Sequence, residues 1–252
     1  MGKLAGKKIV VTGGTRGVGF ELVRLLAAQD AEIVLTGRKV AGVERALESL
    51  GRPANVTGHA ADVCNEGAMA TIIGSGCDIL VNNAAVGGPF TLIHESAPEA
   101  IRHCLEIDLV APLLAARLAV IGMLESGGGT IVNVSSGAAK AAVPRAGPYC
   151  IAKAGLLTAT RCLHAEYGDS GIRVFGFAPG IVDTDMQAEL QASGLPKETL
   201  PPADKLLAPE QPAQVIAWLC AEEAADRFLG DDVDIYDPEL QVAAGLSFPA
   251  PW

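Results

Sequence analysis

"KIVVTGGTRGVGFELVRLL", residues 8–26, decides the fold. A short β-branched run, "KIVVT" (8–12), passes through a glycine loop into a segment with helical spacing over 18–28. Gly13, Gly17 and Gly19 permit a tight turn and close approach of the backbone to a pyrophosphate, which then rests on the helix N-terminus. A glycine triplet alone is weak evidence, but strand, loop and helix in that order point to a dinucleotide site.

The same alternation continues outward along the chain. Strand candidates follow at "EIVLT" (32–36), "NVTGHA" (55–60), "DILVN" (78–82), "TIVNVS" (130–135), "RVFGFA" (173–178) and "DVDIY" (232–236). Helical spacing recurs near 40–50, 66–75, 98–125, 148–168 and 209–224. Nearly continuous apolar strands separated by helices predict a parallel sheet covered on both faces. Residues 1–252 thus read as a single α/β domain, doubly wound and Rossmann-like, with about seven strands. Residues 183–208 break the rhythm with three prolines and Gly194, and a connection that long is expected to be a substrate lid. Its Met186, Leu190, Leu195 and Leu200 either face a pocket or pack on the sheet edge.

Composition narrows the function. A formal net charge of -10 argues against nucleic acid or an anionic membrane as the main partner. The six cysteines form no C-x-x-C pair and several lie in apolar runs, as expected of free thiols in a reducing cytoplasm. Histidines 59, 94, 103 and 164 form no H-x-x-x-H pair, so no catalytic metal is expected. The basic start runs straight into the glycine loop, unlike a signal peptide, and it lacks the Ser or Thr of a myristoylation site. "LVAPLLAARLAVIGML" is broken by Arg117 and reads as too short to span a bilayer, so a soluble protein is expected. No G-x-S-x-G elbow supports a hydrolase.

The second strand candidate ends in "IVLTGRK", with Gly37 where an NAD enzyme places a ribose-binding carboxylate and Arg38 next. Arg16 lies inside the glycine loop. Two guanidiniums, with no acid to repel a 2′-phosphate, point to NADP(H). Asp62 either accepts a hydrogen bond from the adenine amine or caps the helix that follows.

"GPYCIAKAG" (147–155) puts Tyr149 one helical turn before Lys153, where an ammonium would hold down the pKa of a phenol. With T-G-x-x-x-G-x-G at Thr12 to Gly19, "NNAA" at 82–85, Ser136 placed 13 residues before Tyr149, and "PG" at 179–180, the chain resembles the short-chain dehydrogenase/reductase family. The match runs in family order from about residue 7 to about 236. The resemblance implies that Tyr149 is the acid or base at the substrate oxygen. It also implies that Lys153 lowers the phenol's pKa and holds the ribose hydroxyls, and that Ser136 orients the carbonyl. Thr12, Gly13, Thr15, Arg16, Gly17, Val18, Gly19, Arg38, Asp62, Val63, Asn82 and Ala84 would hold the nucleotide, and Pro179, Gly180, Val182 and Thr184 the nicotinamide.

Three positions depart from the family pattern. Ala85 replaces a frequent glycine, and the end "DIYDPELQVAAGLSFPAPW" replaces the usual short Asp-Gly-Gly close. Asp108 in "LEIDLVAP" stands where the family has an asparagine completing a proton relay, and either adds a charge near Lys153 or points away.

The implied activity is NADPH-dependent reduction of a ketone, a diketone or a 3-oxoacyl thioester. A non-catalytic NADP-binding sensor has no need of Ser136, Tyr149 and Lys153 together. Sugar-nucleotide epimerisation resembles longer chains with a differently spaced loop. The pocket is expected from Gly87–Pro98, Ala138–Pro148 and the lid, with Lys140 and Arg145 either solvated or meeting an anionic carrier. The family assembles through the helices near 98–125 and 148–168, which predicts a homotetramer, with a homodimer next.

Overall fold

Residues of the first strand, β1 (Lys8–Val11), alternate between two apolar layers: Ile9 and Val11 face one, Val10 the other. The structure is a computed structural model and describes residues 3–193 and 200–248. Beside β1 lie β2 (Glu32–Gly37), β3 (Val56–Ala60), β4 (Ile79–Asn82), β5 (Gly129–Val134), β6 (Ile172–Ala178) and β7 (Asp232–Asp234). They form one sheet of order β3-β2-β1-β4-β5-β6-β7, parallel throughout. Parallel neighbours need a crossover connection, and that is why helices cover both faces.

Helices α1 (Gly17–Ala27), α2 (Val40–Ser49) and α8 (Glu210–Ala221) cover one face, burying Leu22, Val23, Leu26, Val43, Ile216 and Leu219 against Ile33, Leu35, Phe175 and Phe177. On the other face α3 (Glu66–Gly74), α5 (Ala111–Ser126) and α6 (Gly147–Tyr167) bury Ile73, Ala116, Met123 and Leu163 against Val34, Leu80, Ile131 and Val174. Full burial of a side chain such as Phe175 contributes about 1.5–3 kcal/mol. A polar row crosses the second face. The Asn82 amide donates to the Asn133 side chain (2.9 Å), and Asn133 in turn donates to the Thr160 hydroxyl of α6 (3.0 Å). The chain runs outward from β1 to β3, then returns to the other side of β1 at β4, which opens a crevice at the carboxyl ends of β1 and β4.

The helical pattern near 98–125 forms one continuous run with a π-helical turn inside it. It comprises α4 (Pro98–Leu105), a π-helical turn at Glu106–Val110, and α5. The whole run, Pro98–Ser126, is long and apolar enough to cross a membrane by length and composition, because α4 and the π-helical turn add helix length to the apolar stretch that the sequence alone made too short. Ala115, Ala116, Ala119, Val120 and Met123 on its inner face pack in the core, while Leu113, Ile121 and Leu124 are exposed.

Two helices escaped the sequence pattern: α7 (Asp185–Ala192) and α9 (Pro238–Ala244). The segment 183–208 is pinned at its base by a parallel bridge of Val182 with Leu207, where the Leu207 N–H donates to the Ile181 carbonyl (2.8 Å) and the Asp183 N–H to the Leu207 carbonyl (2.9 Å). Met186, Leu190 and Leu200 are half-buried, and Leu195 lies outside the described residues. Asp237 caps α9 by accepting from the Glu239 N–H (2.8 Å), and Leu240 enters the core, so the unusual chain end is tied to the fold.

Candidate active site

The glycine loop is tied to the end of β4 by hydrogen bonds. The buried Thr12 hydroxyl accepts from the Asn83 N–H (3.0 Å) and the Ala84 N–H (3.1 Å), and the Asn83 amide donates to the Thr12 and Gly13 carbonyls (2.9 and 3.2 Å). Gly13 and Gly17 adopt φ of +67° and +55°, which disfavour a side chain. A Cβ at Gly19 would collide with the Asn83 amide and the Gly13 carbonyl. Asn83 is therefore a structural member of the loop that sequence reasoning missed, though it lies inside "NNAA".

The cradle fits a dinucleotide. Helix α1 starts at Gly17 with no side-chain cap and no acid in its first turn, so its N-terminal N–H groups remain available to an anion. Thr12, Val63, Asn82, Ala84 and Ile107 line one small cleft beside it. The Asn82 side chain turns inward to the Pro112 carbonyl (3.1 Å) and Asn133. Asp62 does not cap α3: its carboxylate accepts from the Cys64 N–H (3.0 Å), whereas Asn65 caps by accepting from the Ala68 N–H (3.0 Å).

At the end of β2, a Cβ on Gly37 would run into the Thr15 side chain, so that position is closed to a carboxylate. Arg38 is exposed and makes no ion pair among the described residues. Arg16 instead pairs with Asp185 in the first turn of α7. Thr184 packs against Gly17, and Gly180 turns at φ +73° beside Tyr236. These contacts bring Arg16 and Gly17 of the glycine loop to the Val182–Asp185 stretch. Val18 sits in the first turn of α1, partly buried against the core. Pro179 follows β6 at its carboxyl end.

Ser136, Tyr149 and Lys153 converge at the carboxyl end of β5. Lys153 is buried and donates to the Val134 carbonyl (3.0 Å), with its Nζ 5.6 Å from the centre of the Tyr149 ring. The Ser136 hydroxyl accepts from the Ala138 N–H (3.2 Å) and faces the phenol. Burial raises the phenol's pKa, Lys153 opposes that, Asp108 adds to it, and Ser136 opposes it. The expected lowering by Lys153 is present but is outweighed, because a phenolate loses more hydration than one ammonium returns.

Asp108 does not point away. It is fully buried in the π-helical turn, accepting from the Val86 N–H (3.0 Å) and from the Cys104 thiol (3.5 Å). An asparagine there would place a donor where this carboxylate needs one, and Cys104, its thiol pushed up to about 12 by burial and so kept protonated, supplies that donor. Burial raises the Asp108 pKa, opposed first by Lys153 and then by the Val86 N–H.

The pocket segments meet here. Phe90 and Met186 close over Gly87, and Ile93 packs against Gly147 at the start of α6. Lys140 stays exposed along its side chain, and its ammonium donates to the Asp232 carbonyl (2.7 Å). Arg145 is partly buried at φ +66°, with its Nε unpartnered.

Comparison with known proteins agrees with this geometry. The family model described as short chain dehydrogenase matches residues 7–194. Dehydrogenase/reductase SDR family member 4 of Homo sapiens is 36% identical over 236 residues, covering 88% of this chain and 84% of the relative. The protein of the same name from Bos taurus is 34% identical over 235 residues, covering 88% and 83%. Cis-4-hydroxycyclohexanecarboxylate dehydrogenase of Sinomonas cyclohexanicum is 33% identical over 238 residues, covering 89% and 94%.

The Asp108 charge should be visible in the phenol itself. In Asp108→Asn the Tyr149 hydroxyl should ionise at lower pH than in the parent, followed by tyrosinate absorbance with Tyr149→Phe as the baseline. An unmoved titration, or one displaced upward, would contradict the electrostatic coupling.

Proposed function

The chain belongs to the short-chain dehydrogenase/reductase family, and on that premise we propose that it is an NADP(H)-dependent ketoreductase interconverting a ketone and a secondary alcohol. It is an oxidoreductase of that family, whose members use a nicotinamide cofactor. The carrying observation is the convergence of Ser136, Tyr149 and Lys153 beside a cradle with an uncapped helix N-terminus. The bound nicotinamide supplies or accepts the hydride. The Ser136 hydroxyl orients the substrate oxygen, and Tyr149 donates a proton to it in reduction or removes one in oxidation. A phenol is protonated at neutral pH, the state that carbonyl reduction needs, and burial raises its pKa further.

The preference for NADP(H) is supported by Arg38, exposed at the end of β2, and by the closed position at Gly37. An apolar ketone is supported by Phe90, Ile93 and Met186 around the pocket segments. The name of the Sinomonas relative refers to a ring alcohol that also bears a carboxylate, which supports ketone–secondary alcohol interconversion but not the apolar character of the substrate. The second reading, a 3-oxoacyl thioester on an anionic carrier, is weakened because the exposed Lys140 ammonium already donates to the Asp232 carbonyl. The segment 183–208 serves as the lid. Exposed Val110, Leu113, Ile121 and Leu124 beside α5 and Ile151 on α6 form outer apolar faces fitted to a homotetramer, with a homodimer next. All six cysteines are free, which supports a cytoplasmic location.

Rates with a panel of ketones and both nucleotides test the activity. Tyr149→Phe should lose turnover while NADPH titration by fluorescence stays near the parent's; substantial turnover would sink the assigned role. Arg38→Asp should weaken NADPH by about 1.5–3 kcal/mol, ten- to over a hundredfold, and shift preference toward NADH. An unchanged NADPH/NADH ratio would exclude Arg38 as the reader of the 2′-phosphate. Light scattering at micromolar concentration should give the mass of four chains, and a monomeric mass would refute the assembly.

A further inference from the structure

Behind the Ser136 turn lies a second buried acid. Asp232 of β7 stands in register with Gly176 of β6, which itself pairs with Asn133 of β5. Gly176 has no side chain, and a Cβ there would come within 2.8 Å of the Asp232 Oδ1, so the carboxylate occupies the space above that strand. The Asp232 carboxylate is fully buried, and neither of its oxygens has a hydrogen-bond partner among the described residues. Lys140 reaches it from the far end of the Ser136 turn. Its Nζ donates to the Asp232 carbonyl (2.7 Å) and lies 3.8 Å from Oδ2. That turn is short and closed: the Ala139 N–H donates to the Ser136 carbonyl (2.9 Å) and the Lys140 N–H to the Gly137 carbonyl (3.1 Å). Ser136 begins the turn and Lys140 ends it.

We propose that Lys140 and Asp232 are a positioning pair for the Ser136 hydroxyl, a strap from the catalytic turn to β7 that loosens when Asp232 takes up a proton. The inference rests on the reading of Ser136 as the group that orients the substrate oxygen. A neutral residue at 232 would spare the fold a buried charge. Burial pushes the Asp232 pKa up to about 6, against the opposing pull of Lys140 and Ser135, with Asp231 just before β7 and Asp234 within it adding to the rise. Arg161 of α6 pairs with Asp231 (2.9 Å) and makes no ion pair or hydrogen bond with the Asp232 carboxylate among the described residues. A folded pKa above the ordinary carboxylate value means that this group favours the fold below about pH 4. That contribution is lost as pH rises through about 6, so at neutral pH the ionised Asp232 is a net cost. What the charge gains in return is its grip on Lys140.

The strap separates stability from rate. Ketone reduction by the parent enzyme should show kcat falling as pH drops below about 6. Asp232→Asn and Lys140→Met should each lower kcat at neutral pH about tenfold and lose that acid limb, with KM for NADPH unchanged. Lys140→Arg should restore most of the rate. Asp232→Asn should also melt at a higher temperature than the parent at neutral pH, an outcome that damage to the fold would not give. Hydrogen exchange over residues 136–146, corrected for intrinsic rate, should quicken in both variants. Parent-like exchange in both variants would overturn the strap. Quickened exchange with an unaltered kcat profile would overturn its role in positioning Ser136. If no ketone is reduced at all, the reading of the site fails separately, while exchange still decides whether the strap exists.

Discussion

One hydrogen bond organises the active end of the sheet: the Lys153 ammonium on the Val134 carbonyl, 3.0 Å away. A buried ammonium without a partner costs the fold several kcal/mol, so helix α6 must sit where that carbonyl can be reached. Once α6 is placed, Tyr149 lies one turn earlier on the same side. Ser136, two residues beyond Val134, then faces the phenol from the start of a turn that its own backbone hydrogen bonds close. The Asn133–Thr160 bond deeper in the sheet fixes the same helix a second time.

Two carboxylates share this end of the molecule, and both are resolved the same way. Asp108 lies near Lys153, and Asp232 near Lys140. In each, lost hydration outweighs the attraction of the lysine, and the pKa rises. The difference lies in the partners. Asp108 has two hydrogen-bond donors, Val86 and Cys104, whereas the Asp232 carboxylate has the Ser135 hydroxyl nearby and no partner within hydrogen-bond geometry among the described residues. Acids so placed sit closer to neutrality than surface acids, so the site's electrostatics respond to pH through them as well as through the phenol.

The edge of the nucleotide crevice is held by weaker forces. The Arg16–Asp185 pair is exposed on both sides, and such pairs contribute about 0–1 kcal/mol. Among the described residues, the segment that carries α7 is also held by the Val182–Leu207 bridge and by Met186 on Gly87.

The sequence by itself determined the layered α/β class, the strands, most of the helices, the glycine cradle and the Tyr149–Lys153 spacing. All of these are written in local periodicity or in residues within one turn or loop. It also showed that Gly37 leaves no acid at the end of β2, although the collision with Thr15 that enforces this is a tertiary fact. The π-helical turn at Glu106–Val110 left no mark in the apolar pattern, since such a turn adds one residue without changing composition. The short helices α7 and α9 were hidden for a similar reason, being two turns or so of mixed character. Only the tertiary structure decided the environment of the charges. Lys140 and Asp232 are separated by 92 positions, Arg16 and Asp185 by 169, and neither pair has a signature along the chain. Whether Tyr149 follows its lysine or its burial depends on how much water the fold removes, and hydration is a property of the packed volume, which no stretch of sequence carries.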